Sequence, residues 1–145
     1  MNSRLLLLFL IYFLALGCSK DNNGAAPSIS IKTFTSQVSS GGAFSATLKY
    51  SQKNGTLTED SLTIIRRWYN HTGLPPGVDV IDTFLTFMPD MPNTSDAEFR
   101  VDILYENLYV DLGGEPDTID LSFILKDYNG NHSDTATTGK IVILP

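Results

Sequence analysis

From Ser28 onward the apolar residues of the chain fall at every second position. Ile29 and Ile31 alternate with Ser28, Ser30 and Lys32, which predicts a first strand running to about Ser36. After a Ser39-Ser40-Gly41-Gly42 turn, Phe44, Ala46, Leu48 and Tyr50 alternate with Ser45, Thr47 and Lys49, the pattern of a half-buried strand. Asn54-Gly55 is a turn signal, since both residues tolerate positive φ. Leu62 to Tyr69 and Val80 to Met88 predict two further strands, separated by a loop around Pro75-Pro76 and ended by Pro89 and Pro92. Glu98 to Leu108 predicts the next, with Phe99, Val101, Ile103 and Tyr105 on one face and Arg100, Asp102 and Leu104 on the other. Ile119, Leu121, Phe123 and Leu125 form a further inward row, Asn129-Gly130-Asn131 a turn, and Lys140 to Leu144 a last strand. No stretch has helical periodicity.

About seven antiparallel strands in residues 28–145 is the size and spacing of an all-β, immunoglobulin-like antiparallel β-sandwich. The pattern before Ser28 is different. Arg4 precedes a 12-residue apolar run, Leu5 to Leu16, followed by Gly17 and Cys18, and the composition then turns polar. A bilayer span needs about 20 apolar residues, so the run reads as a secretory signal, with a charged start, an apolar middle and a small residue at the cut. The expected organisation is a signal peptide (1–17), a lipidated Cys18 with a flexible tether (18–27), and the sandwich (28–145). Leu14-Ala15-Leu16-Gly17-Cys18 resembles the lipobox of bacterial lipoproteins, in which the thiol is diacylated and the new amino terminus acylated. Cys18 is the only cysteine, so no disulfide competes for it, and several acyl chains at about 0.8 kcal/mol per methylene make a stable anchor.

Charge narrows the partners. The chain carries 16 acidic against 10 basic residues, net −6, and loss of residues 1–17 removes Arg4 as well. An acidic surface argues against nucleic acid and against electrostatic docking to anionic lipid. No cofactor is implied.

Three blocks resemble a family of small Bacteroidota lipoproteins with immunoglobulin-like folds, mostly of unassigned function: Gly42 to Tyr50, Asp120 to Asp127 with Asn129-Gly130-Asn131-His132-Ser133, and Thr138 to Ile143. The resemblance implies an outer-membrane lipoprotein. Ser19 is not the Asp that retains some lipoproteins at an inner membrane. Asp21 follows the cysteine as acidic residues do in exported members, so cell-surface exposure is expected, with a periplasmic face the alternative. Where the family often carries an acidic loop after the second strand, this chain has Ser51-Gln52-Lys53-Asn54-Gly55, and Lys53 speaks against a metal there.

Candidate sites are few. Asp127, Asn129 and Asn131 place oxygen side chains at alternate positions, as calcium loops do. Glycine is fourth rather than sixth, however, and no glutamate closes the loop, so an Asx-rich turn is the simpler reading. His132, Ser133 and Asp134 are triad residue types, but adjacent residues cannot form a chain of hydrogen bonds. Glu98 with Asp102 and Asp79 with Asp82 are the carboxylate pairs that hydrolase chemistry would draw on. A binding surface is expected among Trp68, Tyr69, Pro75, Pro76, Met88 and Met91, although a lone tryptophan in a sandwich more often fills the core. Ser61, Thr118 and Thr135 sit in Asp-Ser/Thr-apolar patterns that resemble envelope-protein O-glycosylation sites. The expected function is therefore a lipid-anchored, non-enzymatic binding module or accessory subunit, held to the membrane through Cys18 and partnered by an outer-membrane barrel or another lipoprotein. A free-standing carbohydrate binder and a small hydrolase are the alternatives.

Overall fold

The computed structural model describes residues 26–52, 61–70, 76, 80–87 and 95–145. Cys18, the segment before it, the Asn54-Gly55 turn, His71, Pro75, Asp79, Met88 and Met91 lie outside them. Among the described residues no helix is long and apolar enough to cross a membrane.

Among the described residues nine strands form two sheets, two more than the seven expected, because β2 and β8 are two residues each and too short to show an alternation. β1 (Ser28–Phe34), β3 (Ala43–Ser51) and β6 (Asp96–Leu104) make one, in the order β1-β3-β6. The other has the order β2-β9-β7-β4-β5, from β2 (Gln37–Val38), β9 (Ile141–Ile143), β7 (Asp117–Lys126), β4 (Ser61–Trp68) and β5 (Ile81–Phe87), and β8 (Ala136–Thr137) also pairs with β7. With the strands lettered in chain order, this is A-B-E facing A′-G-F-C-C′, the strand order of an immunoglobulin-like sandwich. The expected fold is therefore the observed one.

The alternating positions supply the core. Phe44, Leu48 and Tyr50 of β3 and Phe99 and Ile103 of β6 meet Leu62 and Ile64 of β4 and the β7 row, of which Ile119, Leu121, Phe123 and Leu125 are all fully buried. β7 is covered on its outer face as well, where Asp120 and Ser122 are buried. Such a strand needs hydrogen bonds on both edges, and the returning chain provides them irregularly. Between β8 and β9 the Thr138 N–H donates to Leu121 O, and the Thr138 hydroxyl accepts from Leu121 N–H at 3.0 Å. Further along, Ser133 Oγ accepts from Leu125 N–H at 2.9 Å. Two hydroxyls thus replace backbone carbonyls where the ladder would lapse.

Two boundaries differ from the sequence reading. The first strand does not continue to Ser36. β1 is bulged between Ile31 and Thr33 and ends at Phe34, and the chain then crosses to the other sheet, where Val142 N–H donates to Ser36 O and Leu144 N–H to Val38 O. The strand expected over Glu98 to Leu108 stops at Leu104. There the Tyr105 N–H is taken by Gly42 O, and Tyr105 O accepts from Leu108 and Tyr109 N–H, closing a 3-10 turn over Tyr105–Asn107. Burial of Tyr105 continues the inward row of Phe99, Val101 and Ile103 by one position across a backbone that has already turned, while buried Leu108 falls out of that alternation.

Thr138→Val is expected to destabilise the fold by about 1–3 kcal/mol, the cost of leaving the buried Leu121 N–H without an acceptor. Thr138→Ser should retain most of the stability. Urea unfolding of both variants measures the difference.

Candidate functional site

β5 and β6 are edge strands of opposite sheets: β5 pairs with β4 alone and β6 with β3 alone among the described strands. In the seven-strand arrangement a fourth strand covers the outer edge of the sheet that β6 ends. Here the described residues place nothing on that edge or across the flank between the sheets. A groove of about 630 Å³ runs along it. Its walls are the inward-facing Ile64, Phe84, Val101 and Ile103, and Leu85, Asp102, Leu104 and Asn107 are at its margins. Leu85 is 72% exposed and Leu104 58%, so large aliphatic side chains border an already apolar recess.

Arg66 sits at the foot of this groove because alternation along β4 turns it inward, between Ile64 and Trp68. Its guanidinium grips Asp82 of β5 with both carboxylate oxygens engaged, Nε to Oδ1 at 3.1 Å and Nη2 to Oδ2 at 2.5 Å. It also donates to the Asn107 carbonyl of the 3-10 turn and lies 4.0 Å from the centre of the Trp68 ring. A fork of this kind suits Arg and would not be reproduced by Lys. Behind it Asp117 is fully buried. Burial pushes its carboxyl above the usual carboxylate range, opposed by the Thr118 N–H at 2.6 Å, the Arg66 guanidinium and the Trp68 indole. Trp68 Nε1 and Asp117 Oδ2 are nonetheless buried without a well-formed hydrogen bond.

The residues singled out from sequence scatter. Trp68 is 2% exposed and belongs to the core, so it offers no surface to a partner; it ends a strand whose even positions face the other sheet. Tyr69 is exposed on the outer face, where its hydroxyl donates to Asp120 Oδ2 at 2.7 Å, raising the phenol's pKa, and Lys140 lies 4.6 Å above its ring. Pro76 is exposed. Pro75, Met88 and Met91 lie outside the described residues, and of the three described, Trp68 is in the core.

Asp127 is buried and closes a turn rather than holding out free oxygens. Oδ1 accepts from Asn131 N–H at 2.7 Å, and Oδ2 from Asn131 Nδ2 at 2.9 Å and Gln52 Nε2 at 3.3 Å. Gly130, at φ 84°, supplies the left-handed residue that turn needs. Asn129 is exposed, and no group of three metal-ligating side chains occurs among the described residues. Ser133 is tied into the ladder and donates to Asp134 O at 2.8 Å, while His132 is exposed. Glu98 is paired with Lys32 at 2.9 Å and Asp102 with Arg100 at 2.7 Å, both on the outer face of β6. The Ser45 hydroxyl and Arg100 hold the Asp102 carboxyl below its ordinary range. Ser61 and Thr118 are half-buried within strands, and Thr135 is exposed in the connection before β8.

Sequence reasoning missed the open flank. Its signal was present in β5, where Ile81-Asp-Thr-Phe-Leu-Thr-Phe87 is apolar on both faces, and in Leu104, an aliphatic residue on a face otherwise charged.

Arg66→Met is expected to cost about 2 kcal/mol, since it strips a half-buried carboxylate of a forked ion pair. A double-mutant cycle with Asp82→Asn should show coupling. Asp117 has the opposite pH signature from a paired carboxylate. With its folded pKa raised, the native state holds a proton that the unfolded chain has released, so this group's contribution falls as pH rises through that interval. As pH rises above the ordinary carboxylate range near about 4, the wild type should lose stability relative to Asp117→Asn, as read from urea midpoints.

No protein-family model and no curated protein sequence matches the chain. Solved structures do. The chain is similar to the PKD domain of an M14-like peptidase from Thermoplasmatales archaeon SCGC AB-540-F20, at 15% identity over 84% of this chain and 99% of that one, with a TM-score of 0.45. It is similar to the cohesin module of a Clostridium perfringens family 33 glycoside hydrolase, at 14% identity over 82% and 97%, TM-score 0.39. It is also similar to the Pseudomonas fluorescens alkylpurine DNA glycosylase AlkC, at 9% identity over 84% of this chain and 31% of that one, TM-score 0.49. Likenesses this distant carry nothing about activity, and the strand order itself is what makes the fold immunoglobulin-like.

Proposed function

We propose that the chain is a lipid-anchored outer-membrane lipoprotein whose immunoglobulin-like domain is a non-enzymatic binding or accessory subunit, and that the β5–β6 flank is its contact surface. The observation that carries the contact surface is the apolar groove bordered by Leu85 and Leu104, two aliphatic side chains left in solvent beside two sheet edges. Support for the anchor is Cys18 directly after the Leu5–Leu16 run. A protein partner suits the flank better than a glycan does. Sugar-stacking sites use exposed aromatic faces, whereas this groove is mainly aliphatic and Trp68 is buried. Non-catalytic action is in keeping with the carboxylates and hydroxyls described above, each of which serves the fold or a surface ion pair.

Cys18→Ser should leave the fold intact and release the protein from salt-washed membranes; retention in the membrane fraction defeats the anchor. Leu85→Glu with Leu104→Glu should remove a stoichiometric envelope protein from a mild-detergent pull-down of the lipidated chain. Tyr128→Glu, an exposed residue outside the flank, should not. An unchanged set of co-purifying proteins in the double variant rules the flank out as the contact with another envelope protein.

A further inference from the structure

A β-sandwich with two open sheets has four edges, and three of these are guarded in ways that prevent pairing with another chain. β1 is bulged between Ile31 and Thr33. β2 is two residues long. β6 carries four charged side chains, Asp96, Glu98, Arg100 and Asp102, which an added strand would have to strip of water. Among the described residues β5 has no such device. It contains no proline, glycine or lysine, and its one charged residue, Asp82, turns inward and is held by Arg66.

The ladder shows which groups β5 presents. Trp68 N–H donates to Val80 O at 2.9 Å, and the register then places Arg66 opposite Asp82, Ile64 opposite Phe84 and Leu62 opposite Thr86. Antiparallel pairs alternate between exchanging hydrogen bonds and not. Asp82, Phe84 and Thr86 therefore direct their backbone groups toward β4, whereas Ile81, Thr83 and Leu85 direct theirs away from it. The side chains of the latter three project from the outer face, Leu85 at 72% and Ile81 at 49% exposure.

We propose that β5 pairs with β5 of a second copy, antiparallel, about a two-fold axis through Phe84. This rests on the flank being the contact surface and names its occupant. In that register Thr83 lies opposite Leu85 of the second copy, and Ile81 opposite residue 87. Outward-directed backbone groups thus meet outward-directed groups at every position that must exchange hydrogen bonds. Charge selects the same arrangement. Asp82 falls opposite Thr86 and not opposite another carboxylate, so two chains of net charge −6 pair along β5 without apposing like charges across the strands. Leu85 and Ile81 gain cross-strand neighbours on the outer face. On the inner face, Phe84 of the second copy continues the wall of the groove, so the site is completed by its partner.

The test uses paired cysteines in a Cys18→Ser background, which leaves the introduced thiols as the only ones. Residues that exchange hydrogen bonds across an antiparallel pair have Cα atoms about 5.5 Å apart, within disulfide range. Chains with Thr83→Cys mixed with chains with Leu85→Cys should, on mild oxidation, give a species of doubled mass on non-reducing gels. Thr63→Cys, on the same face of the neighbouring strand, mixed with Leu85→Cys should give none. Thr83→Pro removes an N–H that faces away from β4, so it should abolish dimers of the detergent-extracted lipidated chain without changing its thermal unfolding. Absence of the mixed disulfide above the Thr63→Cys control, or persistence of the dimer in Thr83→Pro, overturns the self-pairing. Loss of a co-purifying envelope protein on Leu85→Glu with Leu104→Glu, with no mixed disulfide formed, overturns self-pairing and leaves the flank reading standing. Disulfide formation with an unaltered pull-down upholds self-pairing and defeats the accessory-subunit reading.

Discussion

One ion placed where alternation forces it to face the interior organises the lower half of this sandwich. Arg66 follows Ile64 on the inward side of β4, and its charge is tolerable there only because Asp82, the Asn107 carbonyl and the Trp68 ring surround it. Each partner comes from a different part of the chain. Asp82 holds edge strand β5 to the sheet, Asn107 fixes the 3-10 turn that carries the chain away from β6, and Trp68 seals the end of the core. Asp117, buried behind them, gains from the same positive charge part of what burial takes away. The foot of the groove is tied together by these contacts, while among the described residues the flank above it is bordered by strands that pair on one side only.

That flank follows from how few strands share the smaller sheet. Among the described residues three strands, β1, β3 and β6, face a sheet of six, so β5 has no described strand opposite it to complete the layer. The inward-facing Phe84 and Val101 are only partly buried for that reason, and Leu85 and Leu104 remain in solvent. Elsewhere the fold is satisfied economically. Where the chain returning along β7 departs from strand geometry, the hydroxyls of Thr138 and Ser133 take over the acceptor role, and Asp127 closes the turn between them and β7. The polar residues near the carboxy-terminal half thus serve the ladder, among them Asp127 of the Asx-rich turn and Ser133.

Period-two alternation alone, with Gly, Pro and Asn marking the turns, determined that the chain is all-β, that its strands number about seven, and that the rows Phe44 to Tyr50 and Ile119 to Leu125 face inward. Those features are local: a side chain's face on a strand depends on its parity, and parity can be read without knowing the neighbours. Tertiary structure decided the rest. Which strands end a sheet depends on pairings between residues far apart in the chain, so β5 could not be recognised as an unguarded edge, nor Leu104 as the margin of a groove, before the sheets were assembled. Trp68 illustrates the same division. Its place on a strand was readable, but its burial depended on Arg66 and on the opposing sheet, and that contact exists only once the two layers have packed.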